Sequence, residues 1–141
     1  MSHATTQSQA EPMRYRQADV TPGDRTYAMW THAGPLLAFG LTVLTSGVSF
    51  FVPALVALCL WLARRHDSVF LDDHGREALN FQISLVLLGV IAAIVGLLLC
   101  GVGVLVTVPA VAVLGVVGGI MGAVAAHRGE YFRYPACMRF F

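Results

Sequence analysis

Residues 78–126 read ALNFQISLVLLGVIAAIVGLLLCGVGVLVTVPAVAVLGVVGGIMGAVAA, 49 positions without a single Asp, Glu, Lys or Arg. Upstream, residues 27–63 read YAMWTHAGPLLAFGLTVLTSGVSFFVPALVALCLWLA, 37 positions equally free of those residues. A helix rises about 1.5 Å per residue, so crossing a hydrocarbon layer about 30 Å thick takes about 20 residues. Each stretch is too long for one crossing and long enough for two. Turn-forming residues divide them at Thr45-Ser46-Gly47 and at Cys100-Gly101-Val102-Gly103. The expected fold is therefore all-α: a polytopic membrane protein with four transmembrane helices in a compact bundle. The spans fall near 27–46, 48–64, 78–100 and 104–126. The second is short and carries Pro53 early, where a helix tolerates proline best. A re-entrant hairpin is the alternative reading of the first stretch.

The charges orient this bundle. All nine basic residues are arginine. Arg14, Arg16 and Arg25 precede the first stretch, Arg64, Arg65 and Arg76 lie between the two, and Arg128, Arg133 and Arg139 follow the second. Four spans put all nine on one face, and arginine in short loops marks the cytoplasmic face. Both termini are expected inside, in the inner membrane of a bacterium, and the absence of lysine points to a GC-rich genome. Only 12% of residues are charged and 57% are hydrophobic, with mean hydropathy +0.70. A soluble domain carries roughly 25% charged residues. A net charge of +1 offers no field for nucleic acid.

Residues 1–23 are polar, contain Pro12 and Pro22, and lack the apolar core of a signal peptide. They read as a disordered cytoplasmic tail. Asp24 is placed to cap the first helix. Tyr27, Trp30, Trp61, Tyr131, Phe132 and Tyr134 sit where aromatic side chains meet headgroups. Residues 129–141 read as an interfacial tail of aromatics and arginines reaching lipid phosphates. Cys59, Cys100 and Cys137 have no metal or redox spacing, and no cofactor or metal is expected.

Three sets of residues stand out. Asp72, Asp73, His74, Arg76 and Glu77 form a dense polar cluster in the middle cytoplasmic loop. It is either a carboxylate and imidazole site at the membrane surface or simply a helix start capped by Asp72 or Asp73. Asp73, Glu77, Asn80 and Ser84 are spaced four, three and four, so they share one helical face. Lipid exposure of such groups is costly, so the face should turn into the bundle. His32 lies roughly 10 Å past Arg25, and Asn80 and Ser84 lie roughly 6 and 12 Å past Arg76. A polar core of His32, Asn80 and Ser84 is expected, either a proton or polar pathway or interhelical hydrogen bonds fixing helix order. Last, Gly115, Gly118, Gly119 and Gly122 give the fourth span a small-residue face for close packing, within the chain or between copies. No nucleophile with its base, phosphate loop or calcium loop is present.

Three blocks carry a resemblance: DRTYAM at 24–29 with His32, DHGREALNFQI at 73–83, and GEYFRYP at 129–135. Together they resemble the small bacterial membrane proteins called domain of unknown function 4870, a family similar to the Tic-twenty import proteins of the chloroplast inner envelope. The resemblance spans about residues 24–141 and implies four transmembrane helices and no established enzyme activity. The leading expectation is a non-enzymatic module contacting lipid, a membrane-protein partner or further copies of itself. The rivals are a component of a transport or protein-translocation pathway lined by His32, Asn80 and Ser84, and a membrane enzyme built on the 72–77 cluster.

Overall fold

The computed structural model describes residues 20–45, 50–99, 101–135 and 137–141. Four helices appear among them: α1 (Pro22–Leu44), α2 (Val52–Arg64), α3 (Val69–Leu98) and α4 (Val104–His127). The chain is all-helical, as its sequence predicts. The polar reading of residues 1–19 and the turn at 46–49 lie outside the described residues.

Helix starts differ from expectation in instructive ways. Thr21, not Asp24, caps α1: its hydroxyl accepts the Asp24 amide at 3.1 Å. Asp24 instead sits in the first turn, where a carboxylate suits the positive end of the helix dipole. α3 begins nine residues before the expected span. Ser68 has extended backbone and its Oγ accepts the Leu71 amide at 3.2 Å. Asp72 and Asp73 therefore do not cap, and the middle loop shrinks to residues 65–68. Replacing Ser68 by Ala should cost about 1 kcal/mol, the usual loss for a serine cap. Thermal unfolding in detergent checks it, and an unchanged midpoint would mean the start of α3 is held by packing alone.

α1 and α3 touch each other and both remaining helices, while α2 and α4 share no contact among the described residues. The bundle is thus a central α1–α3 pair flanked on opposite sides. Two small apolar clusters lie at its arginine-bearing end. One joins Val20, Ala28, Phe70, Leu71 and Ala126, and the other joins Ala57, Trp61 and Leu79. Val20, within the stretch the sequence assigns to a polar tail, is buried there.

The opposite end is apolar outward. Leu97, Leu98, Leu105 and Val106 are all at least 70% exposed. So continuous an apolar surface marks a membrane or protein contact. α3 and α4 are long and apolar enough to cross a membrane. α2 is apolar but has 13 residues, about 20 Å by helical rise.

The glycine face of α4 packs inside the chain. Gly115, Gly118, Gly119 and Gly122 are all buried. Side chains rather than backbones fill the space they leave. Leu85 faces Gly115, the Phe81 ring lies on Gly118, and Leu36 lies beside Gly119 at ordinary contact distance. At Gly122 the neighbours are polar, the Tyr134 hydroxyl and the His32 imidazole.

Candidate functional site

The expected polar core of His32, Asn80 and Ser84 divides into two separate arrangements. His32 is buried, as predicted, but it bonds to His74 and Tyr134 rather than to Asn80 or Ser84. His32 Nε2 lies 3.0 Å from His74 Nδ1, and His32 Nδ1 lies 2.9 Å from the Tyr134 hydroxyl. His74 Nε2 lies 3.1 Å from the main-chain oxygen of Glu130. His32 is 2% exposed and His74 is 0% exposed.

Donor chemistry fixes the direction of this chain. A carbonyl oxygen only accepts, so His74 Nε2–H donates to Glu130. With a neutral ring, His74 Nδ1 then accepts, and His32 Nε2–H donates to it. His32 Nδ1 is left as the acceptor for the Tyr134 hydroxyl. Both imidazoles are thus satisfied while neutral, which is how buried polar groups avoid the cost of desolvation. The Tyr134 ring stacks flat on Phe81, centroids 3.9 Å apart. Burial and the nearby Glu77 carboxylate push its phenol well above the ordinary tyrosine range, so it stays a donor.

The second arrangement is a clamp. Asp73, Glu77, Asn80 and Ser84 do share one face of α3, as their spacing dictates, but the face is covered by the chain's own tail. Arg133 grips both oxygens of Asp73, at 2.7 and 2.5 Å, and its charge lies 3.7 Å from Glu77. Glu77 accepts the Tyr134 amide at 2.7 Å. The Ser84 hydroxyl accepts the Met138 amide at 2.9 Å and donates to the Asn80 carbonyl at 2.8 Å. Asn80 Oδ1 accepts the amides of Phe140 and Phe141, at 3.0 and 3.3 Å, and Asn80 Nδ2 donates to the Phe141 carbonyl at 3.3 Å. Gly129, at φ +73°, makes the sharp turn that sends the chain back along α3.

The tail is therefore folded against protein, and Arg133 is bound to Asp73 rather than to a lipid phosphate. Hydrogen bonding to Asp73 holds its guanidinium even more firmly protonated than usual. Burial raises the Cys137 thiol. Several boundary aromatics are likewise internal. Trp61 donates from Nε1 to Asp72 at 2.8 Å, Tyr27 donates to the Leu60 carbonyl at 2.8 Å, and Tyr134 is buried. Trp30 remains exposed.

The 72–77 cluster lies in the first three turns of α3, not in a loop, and its members point to different partners. Asp72 pairs with Arg76 at 2.8 Å, Asp73 and Glu77 face Arg133, and His74 turns inward to His32. Among the described residues, no group of three or more His, Cys, Asp or Glu side chains is placed to hold a metal ion.

No curated protein and no solved structure matches the chain. The resemblance to domain of unknown function 4870 and the Tic-twenty proteins is overturned, because a different family model matches residues 23–141 and takes in all three blocks that suggested it. Those blocks hold His32, its partner His74, and the tail that closes on both. By that match, which covers nearly the whole chain, the protein belongs to the magnetosome magnetite crystal formation protein family, MamF/MmsF.

Proposed function

We propose that the chain is a non-enzymatic, multi-pass protein of the magnetosome membrane, and that it serves magnetite crystal formation as a structural or partner-binding module. The observation that carries this is the clamp. The polar side chains that a catalytic or conducting site would use are engaged with one another and with residues 130–141. The buried histidine chain ends on a backbone carbonyl, which accepts a proton-bearing bond but passes no proton onward. Recesses toward the far end, about 650 and 530 Å³, are lined by residues such as Phe39, Leu41, Val90 and Val108. That lining suits lipid tails better than a transported ion.

Four crossings with both termini cytoplasmic is the topology we favour. Arg64 at the end of α2 lies 3.8 Å from Asp24 at the start of α1, and Arg133 after α4 meets Asp73 at the start of α3. These pairs put four helix ends, and the arginines among them, at one level. α2 alone spans about two thirds of a 30 Å layer, so local thinning accompanies it. Single cysteines at Ser8 and Ser46 test the orientation on intact, isolated magnetosomes, whose outer face is the cytoplasmic one. An impermeant maleimide should label position 8 and spare position 46, and the reverse pattern would overturn the topology.

The functional reading is tested in cells lacking the chain. Full-length protein should restore crystal size and number, seen by electron microscopy. A chain ending at residue 128 should fail to do so while still reaching the membrane. Full restoration by the shortened chain would mean that the closed bundle is not the working unit.

A further inference from the structure

A groove runs along the outside of α4 and under the start of the tail, with a cavity of about 180 Å³. Its floor is apolar, built from Ile120, Met121, Val124 and Phe132. Its mouth carries one cation and one anion, Arg128 and Glu130, on either side of Gly129. The described ion pairs employ Arg64, Arg76 and Arg133 as cations, and neither Arg128 nor Glu130 enters one. Arg25 packs over the same glycine, and its buried Nε has no hydrogen-bond partner among the described residues. Glu130 bonds to His74 through its main-chain oxygen, which leaves its carboxylate uncommitted to the histidine chain.

We propose that this groove is a phospholipid site selective for an ethanolamine headgroup. This rests on the membrane reading above. An acyl chain lies along Ile120, Met121 and Val124, the phosphate meets Arg128, and the primary ammonium donates to Glu130. Charge complementarity decides between headgroups. A choline has no N–H to give Glu130, and a glycerol headgroup leaves that carboxylate beside a second anion. Gly129 is required twice over: its φ of +73° suits glycine, and any side chain would strike the Arg25 guanidinium.

The test uses the full chain purified in detergent and read by native mass spectrometry against dioleoyl-phosphatidylethanolamine, -phosphatidylcholine and -phosphatidylglycerol, with inorganic phosphate as a separate probe. The ethanolamine lipid should be retained about tenfold more than the choline lipid, the equivalent of one charge-assisted hydrogen bond. Glu130→Gln should erase that preference, Arg128→Gln should lower retention of all three lipids together, Arg128→Lys should keep most of that retention, and Arg139→Gln should leave both intact. Equal retention of the ethanolamine and choline lipids overturns the proposal. So does a glycerol lipid that outcompetes ethanolamine, or phosphate alone displacing all three. Carbonate washing of membranes reports separately on membrane insertion: a chain released by the wash sinks the membrane reading itself, whatever the lipid preference.

Discussion

Gly122→Ala is expected to destabilise the bundle by about 2–4 kcal/mol. The added carbon would meet the Tyr134 hydroxyl and the His32 ring together. Neither has room to withdraw. The Tyr134 ring is stacked on Phe81, and His32 is held at its other nitrogen by His74. Overpacking a filled site costs about 1–3 kcal/mol, and a hydrogen bond broken in a buried place leaves unsatisfied groups worth about 1–3 kcal/mol more. Gly119→Ala is the control. Its new carbon would lie 3.6 Å from Leu36, an ordinary contact, so its effect should stay under about 1 kcal/mol. Chemical unfolding of both variants in the same detergent makes the comparison. Equal losses at 119 and 122 would mean that the face responds to helix propensity or general crowding, and that the His32–Tyr134 bond is not what Gly122 protects.

The same contrast marks how far the sequence could be read. Absence of charge over residues 27–63 and 78–126 predicts four helices, and four are present, of which α3 and α4 are long and apolar enough to cross a membrane. The four-three-four spacing of Asp73, Glu77, Asn80 and Ser84 put them on one face because helix geometry is local. What covers that face is not local. The clamp joins residues about 55–60 positions apart through main-chain amides, and backbone donors leave no mark in a sequence. The place of His74 is hidden in the sequence for another reason. The charged run at 72–77 reads as a loop cluster or as a helix start capped by Asp72 or Asp73, whereas Ser68 followed by Val69, Phe70 and Leu71 is the helix start. Carrying the helix back to Ser68 puts Phe70, His74, Glu77 and Phe81 on one buried face, and His74 then becomes a candidate partner for His32. Tyr134 and Trp61 read as belt residues because they are aromatics near a membrane boundary, whereas packing buries both.

Replacing Glu77 by Leu should release the tail. Glu77 is 3% exposed. It accepts the Tyr134 amide and faces Arg133, so its loss removes a hydrogen bond to a charged group and unbalances a neighbouring cation. Removing one member of a buried pair costs about 3–5 kcal/mol. Arg133 keeps Asp73 and is itself half exposed, so about 2–3 kcal/mol is expected here, falling on the tail rather than on the helices. Cys137 reports this directly, since it lies in the clamp with its Sγ 3.7 Å from the Ser84 hydroxyl. With Cys59 and Cys100 changed to alanine, maleimide should label Cys137 about 30- to 150-fold faster in Glu77→Leu, if labelling follows the population of the open tail. One complication has a definite sign. Burial raises the Cys137 thiol most, but the Glu77 charge raises it too, so deleting that charge speeds labelling even from a closed tail. Glu77→Gln removes the same charge and keeps an oxygen for the Tyr134 amide. Its rate should rise only by the electrostatic part, and the gap between Gln and Leu is the contribution of the hydrogen bond. Identical rates in the two variants would show that charge alone acts at position 77, and that the tail is held by Asn80, Ser84 and Asp73 without it.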